Sequence, residues 1–396
     1  MVAIGRELRS RGIDVVISIS EPYAPIAKAA GLDAQTIIST DQFYEMVGDP
    51  AVWKTVRGIR RVLRAMSDYY VKPHHEVIRK FHRPGQTVLV SHPLDYASRV
   101  VRDSDPTTPL VNVHLQPVVL RMPESPTRLT SWWFEPTGPP WLIRAAYFLA
   151  DHLAADPVIR PVVNQLRQEY SLPPIRRVLD KWWLSPDRII ALYPKWFAPE
   201  TDVYAPRLMH AGFPLQDLDE SEFVAPANRP IVFTAGTAHH HSRKFFEHAA
   251  RACQQLGRDG ILLSSHADNF PDNLPASVKP CAYVSLAALL PHCSAIVHHG
   301  GVGTTAQAIA AAIPQVIRPM AFDQFDNAVR IEKIGCGVWL RKDKALATTL
   351  KELIDSETVR KKCGEAAIKL QGSNGAKVAA DEIESMLHNS QKPADS

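Results

Sequence analysis

The sequence predicts an α/β protein made of two doubly wound, Rossmann-like domains. Three observations carry that expectation. The length of 396 residues suits about two domains of roughly 150 residues each, with material left over. Short β-branched runs alternate with helical stretches in two separate series. Within the second series, a glycine loop stands between a buried strand and an apolar helix.

Composition narrows the class. Hydrophobic content of 45% with 22% charge belongs to an ordinary folded chain and excludes a largely disordered one. The formal charge of +4 comes without a basic run, so no nucleic-acid partner is indicated, while mild basicity suits an anionic ligand. Cys253, Cys281, Cys293, Cys336 and Cys363 are odd in number and form no C-x-x-C pair, the pattern of a reducing cytoplasm. The longest apolar stretch, 141–155, is broken by Arg144, Asp151 and His152 and is not expected to cross a bilayer. No secretory leader is expected either.

Taken in order, residues 2–11 have the period of an amphipathic helix that stops at Gly12, and 14–19 read as a buried strand. A helix that feeds straight into a buried strand is the middle of a βαβ unit. A leading strand is therefore expected before it, with Met1 an internal methionine. Strands follow at 87–91 and 110–113 around a helix at 96–102. From 116 to 174 the chain turns rich in Pro and aromatics (Trp132, Trp133, Phe134, Trp141, Tyr147, Phe148), as in an insertion that shapes a pocket. After a strand at 189–193 and a turn at Gly212-Phe213-Pro214, the acidic run 217–222 before Pro226 and Pro230 reads as the linker. It divides the chain into 1–218 and 219–396. The second series has strands at 231–235, 261–264, 295–298 and 315–317, and the polar tail beyond Asn389 is expected to fray.

The chemistry concentrates in His298-His299-Gly300-Gly301-Val302-Gly303-Thr304-Thr305-Ala306-Gln307. A helix N-terminus presents unpaired N–H groups and a positive dipole end, and glycines let backbone approach a phosphate that a Cβ would hold off. Thr304 and Thr305 add hydroxyls, and His299 can donate to an oxygen as charge builds there. Two anions fit this pattern. Gly301-x-Gly303-x-x-Ala306 also matches a dinucleotide fingerprint, with Asp323 about twenty residues on, but Asp323 sits beyond Pro319 at the start of a further helix. The companion segment is Pro319-Met320-Ala321-Phe322-Asp323-Gln324-Phe325-Asp326-Asn327-Ala328.

With both segments present, the sequence resembles the nucleotide-sugar-dependent glycosyltransferases of the GT-B family, whose donor signature joins H-x-G-x-G-[ST]-[ST] to P-x-x-x-D-Q-x-x-N-A. The resemblance implies two facing Rossmann-like domains with a donor cleft between them. It also implies that His299, Gly301, Val302, Gly303, Thr304 and Thr305 hold a donor diphosphate, that Gln307 reaches the ribose, and that Asp323 and Gln324 hold sugar hydroxyls. Gly236-Thr237 resembles the second phosphate-contacting turn. Tyr283-Val284 resembles the base-stacking segment, with Ser285 and Leu286 where the family has Pro and Gln. Residues 46–53, 185–198 and 212–215 look like the branch that holds the bacterial rhamnosyltransferases of rhamnolipid synthesis and the sterol-glycosyltransferase-like enzymes. The resemblance thus covers nearly the whole sequence and implies a hydrophobic or lipid-like acceptor.

Bland readings stand beside these. His239-His240-His241 has no carboxylate or Cys at ligand spacing and reads as a solvated loop. His298 ends a strand and packs; Trp132-Trp133 and Trp182-Trp183 fit ordinary packing; Asp323 would serve as a helix N-cap whatever the function. In the family the base that takes the acceptor proton lies in a G-[HD]-x-x-P turn that this chain lacks. His92, Asp95 and His114 are weak substitutes, each following a strand. The expectation is an inverting enzyme moving a hexose or deoxyhexose from a UDP- or dTDP-sugar to a hydroxyl of a hydrophobic acceptor, cytoplasmic or in peripheral contact with a membrane. No metal and no cofactor beyond the donor are expected. A nucleotide-sugar binder without turnover and an NAD(P)-dependent oxidoreductase remain the alternatives.

Overall fold

The computed structural model describes residues 1–49, 51–52, 55–129, 138–198, 202–215, 224–236 and 242–391. The chain runs α1 (Val2–Ser10), β1 (Val16–Ser20), α2 (Ala24–Ala29), β2 (Asp33–Ile38), α3 (Thr40–Gly48), α4 (Thr55–Ala65), α5 (Val71–Phe81), β3 (Leu89–Ser91), α6 (Ala97–Ser104), β4 (Leu110–His114), α7 (Pro140–Ala150), α8 (Asp156–Glu169), β5 (Arg188–Ala191) and β6 (Leu208–His210). It continues with β7 (Ile231–Thr234), α9 (Arg243–Leu256), β8 (Gly260–Leu263), β9 (Val278–Cys281), α10 (Leu286–Leu289), β10 (Ala295–His298), α11 (Val302–Ala310), β11 (Gln315–Ile317), α12 (Gln324–Ile334), β12 (Gly337–Trp339), α13 (Leu346–Asp355), α14 (Glu357–Ile368) and α15 (Gly375–Ser390). Every strand pairing among the described residues is parallel, as alternating strands and helices require. Among the described residues no helix is long and apolar enough to cross a membrane.

The chain folds as two units. One contains the chain up to Thr127, the stretch that ends at Pro214 and the segment from Asn374 onward; the other contains Arg128 and the chain from Leu215 to Ser373. These units depart from a contiguous division at 218/219 at Arg128, at the Pro214/Leu215 boundary and from Asn374 onward. The C-terminal helix α15 belongs to the first unit because its face of small residues, Ala376, Ala379, Ala380 and Ile383, packs with Ile4 and Leu8 of α1 and with Val111, Val113 and Ile190 of β4 and β5. Arg11 ties the two helices through Asp381 (2.7 Å) and Glu384 (2.8 Å). The linker segment at 217–222 lies outside the described residues.

In the first unit the strands fall into two sheets, β1-β2 and β3-β4-β5-β6. β1 pairs with β2 alone and β3 with β4 alone, so each keeps one ladder edge without a strand among the described residues. The Pro- and aromatic-rich stretch is mostly helical where described, in α7 and α8, and Trp141 and Phe148 are exposed. Trp182 and Trp183 are core residues, packed with Tyr96, Val100, Ile159 and Val163.

The second unit holds one six-stranded sheet, in the order β12-β11-β10-β7-β8-β9. The order reverses between β10 and β7, and loops that follow both strands meet there, which is where α/β sheets bind ligands. β10 and β11 are buried at every position, the burial that makes central parallel strands continuous apolar runs. α9 and α12 stop at Gly257 and Gly335, both in the left-handed region.

Candidate functional site

At the tip of β10, His298 is fully buried. Its Nδ1 accepts the Gly300 N–H (3.1 Å) and its Nε2 lies 3.0 Å from Gln315 Oε1. These partners make Nε2 the protonated nitrogen. Burial, helped by His299, lowers its pKa to about 3, so the ring is a neutral structural brace. The chain then reverses at Gly300, whose φ is +96°. α11 starts at once: Thr305 N–H makes the first return bond, to Gly301 C=O (3.0 Å). The amides of Val302, Gly303 and Thr304 precede that bond and form the positive end of the helix.

His299 lies against this end. A Cβ on Gly301 would come within 2.5 Å of His299 Nε2, and one on Gly236, in the turn after β7, within 2.7 Å of its Cε1. Only glycine at both positions lets the imidazole fit between the two turns. Gly236 also has φ +86°, a conformation that side chains disfavour. A Cβ on Gly303 would meet nothing within 4 Å, so the loop is open on that side. Thr234, Ala235, Phe245, Arg318 and Met320 line a recess next to His299.

The second motif is locked to the first by Asn327. Its Nδ2 donates to Gly300 C=O (2.8 Å) and to Asp323 Oδ2 (3.0 Å). Asp323 starts α12, yet its side chain makes no capping bond, which removes the N-cap explanation. Burial pushes its carboxyl up to about 6; the Asn327 hydrogen bond opposes the rise and Asp326 adds to it. Gln324 turns inward and its Oε1 accepts the amides of Met320 (2.8 Å) and Ala321 (3.0 Å). That oxygen shapes the turn presenting Asp323, including Phe322 at φ +55°. Behind it, Arg318 forms a two-pronged pair with Asp343 (2.6 and 2.9 Å).

The remaining expected residues divide. Thr304 is half-buried at the loop. Thr305 is fully buried, and its hydroxyl has no partner among the described residues. Gln307 Nε2 donates to Leu215 C=O (3.2 Å). Tyr283 is 63% exposed after β9, as a stacking surface must be, whereas Val284 packs against the core of Val232, Leu290 and Ile296. Ser285, where the family has Pro, caps α10 by accepting the Ala288 amide (3.2 Å). Thr237 and the histidine triplet lie outside the described residues.

In the first unit the three substitute bases belong to one polar cluster, which His74 of α5 completes. Asp95 accepts the amides of Ala97 (3.0 Å) and Ser98 (3.2 Å), the Ser98 hydroxyl (2.5 Å) and His74 Nε2 (3.0 Å). Burial opposes ionisation of Asp95, but His74 and these bonds hold its pKa below the usual carboxylate range. It is saturated and a weak proton acceptor. His92 Nδ1 accepts the Leu94 amide (3.2 Å), which leaves its proton on Nε2. Burial, against the pull of Asp95, takes it to about 4. His114 is fully buried, both nitrogens are without partners, and burial with His92 lowers its pKa to about 3. All three have structural geometry.

Sequence reasoning missed His74, Arg318 and the bridging role of Asn327. Asn327 stood in the motif as a letter without a task; His74 and Arg318 carry no local signal, since their partners are 21 and 25 residues away.

The dinucleotide alternative lacks its ribose carboxylate. A ribose-binding carboxylate belongs at the tip of the strand after the glycine-loop helix, and at the tip of β11 stands Arg318, bound to Asp343. Comparison with known proteins agrees. Residues 259–389 match the family described as "Erythromycin biosynthesis protein CIII-like, C-terminal domain". The chain is 26% identical to the O-mycaminosyltylonolide 6-deoxyallosyltransferase of Streptomyces fradiae over 96% of its own length and 93% of that protein's. The calicheamicin glycosyltransferase superposes with a TM-score of 0.72 at 20% identity, over 98% of this chain and 94% of that one. A spinosyn rhamnosyltransferase solved with thymidine diphosphate does so with a TM-score of 0.67 at 16% identity, over 97% and 95%.

Proposed function

Since the chain is a GT-B glycosyltransferase of the family 1 type, we propose that it inverts configuration while moving a hexose or deoxyhexose from a dTDP- or UDP-sugar to a hydroxyl of a hydrophobic small molecule. One observation carries the reading: the open amide end of α11 and the Asp323 carboxyl are fastened to one another through Asn327, so a diphosphate seat and an acceptor for sugar hydroxyls form one rigid device. The relative that carries a 6-deoxyallosyl group in its name and the rhamnosyltransferase solved with thymidine diphosphate favour a dTDP-deoxysugar.

In this mechanism the acceptor oxygen attacks the anomeric carbon from the side opposite the diphosphate. The carbon–oxygen bond to phosphate breaks, and the nucleoside diphosphate leaves with the bonding pair. The Val302, Gly303 and Thr304 amides and the His299 ring stabilise the charge that develops on the leaving oxygens. Asp323, when ionised, accepts from sugar hydroxyls and orients the ring. A general base takes the acceptor proton as the new bond forms; Asp95, saturated by its own hydrogen bonds, and His92 and His114, whose pKa values burial lowers, are weak bases for that step.

Melting in the presence of dTDP, UDP and NADPH tests the donor class, because a ligand that binds only the native state raises its stability. The nucleoside diphosphates should raise the melting temperature and NADPH should not. With a turned-over donor, His299→Ala should lower kcat by about a hundred- to a thousandfold, the range for removing one charge-stabilising donor. Unchanged turnover in that variant refutes the role of His299.

A further inference from the structure

A cavity in the first unit lies apart from the residues assigned to the donor. Its volume is about 360 Å³, within the range of small-molecule sites. Two of its walls, 179–184 and 203–207, lead into β5 and β6, whereas ligand-binding loops of an α/β sheet follow their strands. A third wall is pinned in place: the Arg121 N–H donates to the Tyr204 hydroxyl (2.8 Å), which donates back to the Arg121 carbonyl (2.9 Å).

The lining has two characters. Trp182 and Trp183 line it with apolar surface, their indole N–H groups being taken by Asp103 and by the Pro93 carbonyl. Leu179 and Val203 extend this apolar surface. Four cations share the lining: Arg121, Arg144, Lys181 and Arg207. Arg121 is neutralised by the buried Asp151, and Arg144 by Glu124 (3.1 Å). Lys181 has no carboxylate among the described residues, and Arg207 donates only to the neutral Ser185 carbonyl (2.8 Å). Among the described residues, two positive charges therefore border this apolar, aromatic space without a carboxylate partner. A neutral ligand would leave them unanswered, and a small inorganic anion would leave the aromatic walls empty.

We propose that this cavity is a second ligand site, taking an organic anion with a flat or short apolar body and one carboxylate that sits between Lys181 and Arg207. The inference is independent of the donor and acceptor assigned above. Its test uses the full chain and two probes, 2-naphthoate and its neutral methyl ester, titrated by calorimetry with and without saturating dTDP. Naphthoate should bind once per chain, at least tenfold more tightly than the ester, with affinity that falls as salt rises and is unchanged by dTDP. The Lys181→Met/Arg207→Met double variant should lose at least tenfold in naphthoate affinity and nothing in ester affinity. Lys181 is exposed, so Lys181→Gln alone, which keeps the fold, should lose part of the same affinity. Equal binding of the two probes, no binding of either, displacement by dTDP, or full naphthoate affinity in both variants overturns the proposal.

Discussion

Removing the Asn327 side chain tests whether the two motifs form one device. In the native chain this fully buried amide donates to Gly300 C=O at 2.8 Å and to Asp323 Oδ2 at 3.0 Å. Asn327→Ala leaves a buried carbonyl and a buried carboxyl oxygen without that donor, and each such loss costs about 1–3 kcal/mol. Because the exposed side of the loop lets water recover part of this, we expect about 2–4 kcal/mol in all. At ~2–4 °C per kcal/mol for a body of this size, melting should fall by roughly 4–16 °C. Asn327→Asp separates lost volume from lost hydrogen bonds: it keeps the shape but turns an acceptor toward two acceptors, and should destabilise at least as much. Calorimetric titration with dTDP should show weaker binding in both variants. Losses under about 0.5 kcal/mol in both, with native dTDP affinity, refute the bridge.

The glycines around His299 should respond in opposite ways. Gly236→Ala combines φ +86° with a 2.7 Å clash on the imidazole and should destabilise by more than about 1 kcal/mol. Gly303→Ala enters open space within a helix and should leave unfolding unchanged or slightly improved while weakening nucleotide binding; unaltered binding there would place the diphosphate elsewhere. Acid should destabilise the fold. Burial depresses His92, His114 and His298 to about 4, 3 and 3, so below about pH 6.5 the unfolded chain binds protons that the native one refuses. Stability is then full above 6.5 and lost as pH falls toward the folded values, by about 2 kcal/mol per group at pH 5 at 1.36 kcal/mol per unit. The raised His74 and Asp323 act in the opposite sense, their contributions being present at low pH and lost as pH rises through the folded pKa. A net loss of several kcal/mol by pH 5 should appear in urea titrations; a flat profile from pH 8 to 5 refutes the neutral-histidine assignment. Nucleotide-sugar affinity should weaken below about pH 6 as Asp323 protonates, and Asp323→Asn should bind weakly at every pH, without that dependence.

Local chemistry made much of this protein legible in its sequence. The parallel strands β7, β10 and β11 are short, mostly apolar and β-branched runs with polar residues only at their ends, and a strand of that kind has few other structures open to it. The glycine loop was readable because a reversal at Gly300 and the close seat of His299 need residues without a Cβ, a requirement that acts within a few residues. Resemblance to the GT-B family then attached a ligand to the loop. What spacing could not supply is which groups face one another across the fold. α15 follows the donor unit in the chain, yet its small-residue face matches α1, so it joins the first unit. Thr305 and Gln324 have ligand-binding chemistry, and packing buries one and sets the other's oxygen to shape a backbone turn. The polar cluster of His74, His92, Asp95 and His114 gathers residues whose protonation depends on burial and on partners tens of residues away. Residue types and periods act locally and are written in order; dielectric, tautomer and hydrogen-bond saturation belong to the folded neighbourhood, and only the tertiary structure decided them.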